Sequence, residues 1–150
     1  LVHAAWPEIP VTNPVVAAHA AFDIFHARKI SVLTPYSEEV NTEMGRQFLA
    51  PGYQLLNIAG FDFENDTRMT LISPETIHRA ALEICDPQAD LLFISCTALR
   101  ASLVIEKIEQ DLGKPVVSSN QALAWHIMQL LDRDVAVQGF GSLFRTGCQT

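Results

Sequence analysis

The chain has no run of about eighteen consecutive apolar residues, which is the least a helix needs to cross a bilayer. A transmembrane helix is therefore excluded, and no signal peptide is visible at the start. Positive charge is scarce. Ten Lys and Arg stand against 17 Asp and Glu, for a net charge of −7, and pairs such as Arg28-Lys29 are scattered rather than clustered. Nucleic acid binding needs the opposite pattern. The only cysteines are Cys85, Cys96 and Cys148, with no CxxC among them. So sparse a set points to reduced thiols in a cytoplasmic protein rather than to a disulfide framework. Histidines occur at positions 3, 19, 26, 78 and 126 without HxxxH or HExxH spacing, so no metal site is expected. Neither GxGxxG nor GxxxxGK[ST] occurs, which removes the common nucleotide loops. Linkers, low-complexity tracts and charge blocks are also missing.

At 150 residues, about half of them hydrophobic, the chain is long enough for one domain with a real core. PVTNPVVAA at residues 10–18 resembles PVVSSNQALA at residues 115–124, a weak internal repeat about 105 residues apart. Each copy reads as a short apolar strand, a polar turn and an Ala-rich helix start, and repeats set architecture. A Ser95-Cys96-Thr97 strand end precedes the later copy by about twenty residues, whereas the early copy has no counterpart before it and the chain opens on Leu1. The expectation is a later part of a duplicated, two-lobed protein. Residues 1–27 would be a remnant of the first lobe, 28–132 the second lobe, and 133–150 a tail returning toward the first.

Between these copies strand and helix patterns alternate. Ile9–Thr12 reads as a strand end and Pro14–His26 as a helix. Lys29–Thr34 and Asp90–Ser95 are short, apolar, β-branched runs of the kind buried on both faces of a parallel sheet. Ser37–Ala50 is a helix stopped by Pro51-Gly52, and Tyr53–Ala59 a strand. Gly60–Leu71 is a loop with one helical turn. Ser73-Pro74 caps a helix running to about Cys85. Leu99–Leu112 reads as a helix ended by Gly113, Pro115–Val117 as a strand, Ser119–Leu131 as a helix, and the rest as loop. The βαβα rhythm predicts an α/β fold, a parallel sheet covered by helices on both sides.

Ligands of open parallel sheets bind beyond the carboxyl ends of the strands. Here those ends carry Thr12-Asn13, Thr34-Pro35-Tyr36, Asn65 after its loop, Ser95-Cys96-Thr97 and Ser118-Ser119-Asn120. All are neutral donors and acceptors, which suits a small carboxylate held without a cation. Cys96 falls between a buried strand and a helix start, where free N–H groups favour thiolate over thiol. It would serve as nucleophile or proton carrier, with the Thr97 and Ala98 amides as an anion hole. The same residue types have plainer uses. Cysteine is a common small core residue, Tyr36 can be packing at a strand–helix junction, Asn65 suits a turn, and Asn13, Ser118 and Ser119 suit helix caps. Cys85 and Cys148 are expected to be inert.

The strings PVTNP, LTPYSEEVN, FISCTALR and KPVVSSNQALAWH, with GFGSLF near the end, add a further constraint. Together they resemble the maleate cis-trans isomerase and arylmalonate decarboxylase branch of the aspartate/glutamate racemase superfamily. CTALR and SSNQALAWH look closest to its ectoine-utilisation members. The resemblance implies two Rossmann-like, three-layer lobes related by a pseudo-twofold axis, of which this chain is the C-terminal part, with the substrate between them and no cofactor or metal. It implies that Cys96 is this lobe's catalytic cysteine and that Tyr36 is the family tyrosine. Asn65 would bind carboxylate and Thr97 would continue an anion-binding turn. From the strand-end reading, Thr34, Ala98 and Asn13 are expected to complete the substrate contacts. The expected partner is a small carboxylate, and an exposed apolar face would let the lobe pair with a second copy as a homo-oligomer.

Overall fold

The computed structural model describes residues 2–49, 52–63, 66–133 and 136–146. Four strands form one parallel sheet: β1 (Lys29–Thr34), β2 (Gln54–Gly60), β3 (Leu91–Ile94) and β4 (Val116–Ser118), in the order β2-β1-β3-β4. The helices are α1 (Val2–Ala5), α2 (Pro14–Ile24), α3 (Glu38–Leu49), α4 (Asp66–Met69), α5 (Pro74–Ile84), α6 (Ile105–Leu112) and α7 (Ser119–Leu130), with 3₁₀ turns at Ala101–Leu103 and Ser142–Arg145.

The period-2 geometry of a strand sends successive side chains to opposite faces. In β3, Leu91 and Phe93 join one core cluster with Phe22 of α2 and Trp125 of α7, while Leu92 and Ile94 join a second with Ile77 of α5 and Ile105 and Ile108 of α6. In β1, Ile30 and Val32 face the first cluster and Leu33 the second. Each strand is buried twice over, which is why both read as mainly apolar runs, with Ser31 the one polar residue inside β1. The result is a three-layer α/β/α unit.

Local signals set the helix ends. The Asn13 side chain accepts from the Val15 and Val16 amides at 2.9 and 3.0 Å, and Pro14 takes the first turn, where no amide is needed. Ser73 caps α5 in the same way. Ser118 and Gln121 exchange bonds in a capping box at the start of α7. Gly113 closes α6 in the left-handed region at φ +65°.

The structure corrects two sequence readings. Ile9–Thr12 is not a strand: no sheet partner lies beside it among the described residues, and Ile9 and Val11 are exposed. The helix expected from Leu99 begins only at Ile105. Leu99 and Ala101 are drawn into the core, the chain makes a 3₁₀ turn, and neither Arg100 nor Val104 supplies a capping side chain. The 3₁₀ turn within the final stretch is also docked rather than loose. Glu109 accepts from the Ser142 amide at 2.8 Å and its hydroxyl at 2.6 Å, seating Leu143 and Phe144 in the core.

At the amino ends of the central strands β1 and β3, the Asp90 carboxylate accepts from the Arg28 and Lys29 amides at 2.9 and 2.8 Å. These two bonds hold the carboxyl below its ordinary range. A carboxylate whose folded value is depressed adds stability above its unfolded value, and that stability is lost as pH falls through the folded one. Asp90→Ala is therefore expected to cost about 1 kcal/mol at pH 7, a modest figure because the group is exposed. Urea melts should show the deficit shrinking as pH falls below the carboxylate range; a pH-independent deficit would contradict the assignment.

Candidate active site

From β1 the chain crosses outward to β2, and from β3 it crosses the other way to β4. The strand order therefore reverses between β1 and β3, and a parallel sheet leaves a crevice at such a switch point. Leu33 pairs with Ile94 in register, so the turns carrying Tyr36 and Cys96 emerge side by side. A cavity of about 280 Å³ lies there. Tyr36, Ser95, Cys96, Thr97 and Ser119 form its polar side, and Val15, Ala18, Met44 and Phe93 its apolar wall. No charged side chain lines it among the described residues. A larger cleft of about 460 Å³ on the other side of Tyr36 has Glu38 and Asp62 at its rim, which suits an anionic ligand poorly.

Cys96 is only 8% exposed, yet it forms part of the cavity wall. Its φ is +152°, a region that residues with a side chain rarely occupy, and holding it there costs about 1–3 kcal/mol. Besides the Leu99 amide's bond to the Cys96 carbonyl at 3.4 Å, three hydrogen bonds involving side chains fix the turn. The Cys96 amide donates to Ser119 Oγ at 3.2 Å, the Ala98 amide donates to Cys96 Sγ at 3.3 Å, and Asn120 Nδ2 donates to the Thr97 carbonyl at 2.9 Å. A bond from an amide to sulfur is stronger when the sulfur is charged, so the Ala98 amide is placed to support charge that develops there during a reaction. The helix start beside Cys96 is that of α7, 23 residues further on, rather than the next helix in sequence.

Tyr36 is set by a second network. The buried Thr34 hydroxyl donates to Asn41 Oδ1 at 2.6 Å and accepts from the Tyr36 amide at 3.2 Å, while Asn41 Nδ2 donates to the Tyr36 carbonyl at 3.3 Å. Gly60 packs against this turn from the end of β2.

Of the residues singled out by sequence, Tyr36, Cys96 and Thr97 share the cavity. Ala98 contributes its amide to the sulfur. Thr34 lies beneath the rim, fully buried and engaged with Asn41 and the Tyr36 amide. Asn13 is exposed and caps α2, the helix that brings Val15 to the wall. Asn65 and Cys148 fall outside the described residues. Cys85 is half-buried at the end of α5, away from the cavity, and burial pushes its thiol up. Ser119, one of the strand-end group and a helix-cap candidate by sequence, lines the cavity, whereas Asn41 is not among the residues singled out by sequence. The one sequence hint for Asn41 was a poor helix former placed early in a helix.

Comparison with known proteins agrees with this architecture. Maleate isomerase of Nocardia farcinica is 30% identical over 120 residues, covering 79% of this chain and 48% of that protein. The solved structure of Nocardia farcinica maleate cis-trans isomerase bound to TRIS superposes with a TM-score of 0.89 at 23% identity, over 96% of this chain and 59% of that one. A mutant of the same enzyme with a covalently bound succinylcysteine intermediate gives a TM-score of 0.83 at 22% identity, with the same coverage. The chain thus spans about half the length of the curated relatives it matches. The arylmalonate decarboxylase family matches residues 3–144, a span that takes in all four described strands and the three connections between them, and the chain belongs to that family.

Proposed function

We propose that this chain is the C-terminal lobe of a cofactor-independent isomerase of small carboxylates, acting through cysteine on maleate or a close analogue. One observation carries the reading: a thiol bonded by a backbone amide stands on the wall of the switch-point cavity that Tyr36 also lines. The succinylcysteine adduct of the Nocardia farcinica enzyme supports sulfur addition as the chemistry. In that chemistry a thiolate adds to one alkene carbon and a proton goes to the other. The C–C bond becomes single and rotates. Loss of that proton and cleavage of the C–S bond then restore the alkene in the trans form, with no net gain or loss of atoms. Cys96 provides this lobe's thiol, as nucleophile or as proton carrier, and the Tyr36 hydroxyl offers a second proton or a carboxylate contact. Asn65 and Thr97 bind the carboxylates.

On this reading residues 1–27 belong by sequence to the preceding lobe, although α2 packs on this sheet, and 28–132 form the lobe proper. A cytoplasmic location follows from the sparse thiols, and a role in ectoine utilisation from the CTALR and SSNQALAWH strings.

The family match supports a second reading, arylmalonate decarboxylation. There one carboxylate leaves as CO2, the electron pair passes into an enediolate, and the Cys96 thiol protonates the α-carbon. Proton NMR of the complete enzyme with maleate and with phenylmalonate separates the two. Fumarate formation is the expected result, phenylacetate alone would establish the second reading, and neither product would overturn both. The 150-residue chain by itself is expected to show little turnover.

A further inference from the structure

We infer that Ser119 and Asn120, at the first turn of α7, are positioning residues that clamp the Cys96 turn in its strained, reactive conformation. This rests on Cys96 being the working thiol. Cap chemistry alone would give the Ser118-Ser119-Asn120 string a single task, starting α7. Ser118 performs that task by itself: its hydroxyl accepts from the Gln121 amide, and its own amide donates to Gln121 Oε1. Ser119 and Asn120 face the other way, toward the cysteine turn.

Ser119 is 3% exposed, and its oxygen takes the Cys96 amide at 3.2 Å. Asn120 takes the Thr97 carbonyl at 2.9 Å. The two bonds grip one turn at the peptide units on either side of the Cys96–Thr97 peptide, one through a donor and one through an acceptor. Between them lies the residue at φ +152°. A strained backbone persists only where its surroundings over-determine it, and these two side-chain bonds add to the Leu99 amide's bond to the Cys96 carbonyl at 3.4 Å in doing so. Their consequence reaches the sulfur, because Sγ meets the Ala98 amide only while Cys96 keeps this conformation.

Without Ser119 the buried Cys96 amide loses its acceptor and φ is free to relax toward ordinary values, which carries Sγ away from the Ala98 amide. Charge does not offset that loss. Tyr36 and Cys96 are the titratable groups lining the cavity among the described residues, and no Lys, Arg or His faces the sulfur there. Neutral dipoles alone meet the sulfur, so the turn's geometry sets its reactivity.

The readout is the rate at which iodoacetamide alkylates Cys96, forming a C–S bond and releasing iodide, followed on the 150-residue chain by peptide mass spectrometry across a pH series. In the unsubstituted chain Cys96 should react faster than Cys85. Ser119→Ala should slow it about tenfold near pH 7 and move the half-maximal rate to higher pH. Ser119→Thr, which keeps the hydroxyl, should restore both. Asn120→Ala, at an exposed position, should slow the reaction about threefold by loosening the second peptide unit. Ser118→Ala should weaken α7 in urea melts without changing the Cys96 rate, which separates clamping from simple loss of a cap. Folded Ser119→Ala and Asn120→Ala chains that alkylate at the unsubstituted rate and pH would overturn the clamp while leaving Cys96 in its role. A Cys96 no more reactive than Cys85 in the unsubstituted chain would remove the functional reading and the clamp with it.

Discussion

Cys96→Ala in the complete enzyme is expected to lower kcat by on the order of 10³-fold or more, whereas Cys85→Ala leaves it within about twofold. The two thiols differ in surroundings. Cys96 lines the cavity and accepts a backbone amide at 3.3 Å, a bond that strengthens when the sulfur is charged. Cys85 ends α5 outside the cavity, and burial keeps it in the thiol form. A loss of 10³ is about 4 kcal/mol of barrier, far more than the change should cost the fold. Alanine leaves the Ala98 amide without its sulfur acceptor, a matter of about 1 kcal/mol. Activity and stability should therefore separate: a folded variant with almost no turnover. Cys96→Ser sharpens the test. Its oxygen can still accept from Ala98, but an alcohol at neutral pH is neither thiolate nor a comparable acid, so serine should be nearly as inactive as alanine. Turnover of Cys96→Ala near that of the parent would end the thiol mechanism for this lobe.

What the sequence revealed, and what it hid, follows from how far apart the interacting groups lie. β1 was legible residue for residue, because a strand buried on both faces must be apolar throughout, as Lys29–Thr34 nearly is. Ser73-Pro74 and Gly113 were legible because capping is settled within one turn. The strand-end rule brought Tyr36 and Cys96 together correctly, since topology alone decides which ends are neighbours. The helix at Leu99 was misread because its period held while tertiary packing pulled Leu99 and Ala101 inward and delayed the start to Ile105. That error also misassigned the source of the dipoles around the sulfur. The contact that matters joins Cys96 to Ser119 across 23 residues, and no local pattern distinguishes a serine that caps its own helix from one that holds a neighbouring loop. Asn41 was hidden for the same reason. Its two bonds to the Tyr36 turn exist only because α3 folds back beside the end of β1.

That network makes Gly60 a sensitive position outside the cavity. A Cβ at residue 60 would sit 2.6 Å from the Tyr36 carbonyl, 2.8 Å from Thr34 Oγ1 and 2.9 Å from Asn41 Nδ2. None of these can yield cheaply. The carbonyl is backbone, and the two side chains are bonded to each other and to the Tyr36 turn. Adding one methyl therefore forces either β2 away from β1 or the Tyr36 turn away from the cavity. Gly60→Ala is expected to cost about 2–4 kcal/mol, combining overpacking with the loss of a buried hydrogen bond. Gly113→Ala calibrates the effect. Gly113 has φ +65° but open space around its Cβ position, so alanine there should cost about 1–2 kcal/mol through backbone strain alone. Urea melts compare the two directly. The functional readout goes further, because the strain at residue 60 is transmitted to Tyr36 and not to the cysteine turn. In the complete enzyme Gly60→Ala should depress kcat even where the protein is fully folded, while the alkylation rate of Cys96 stays at its parent value. If Gly60→Ala is no more destabilising than Gly113→Ala and turns over normally, the packing of Thr34, Asn41 and Gly60 does not set the position of Tyr36.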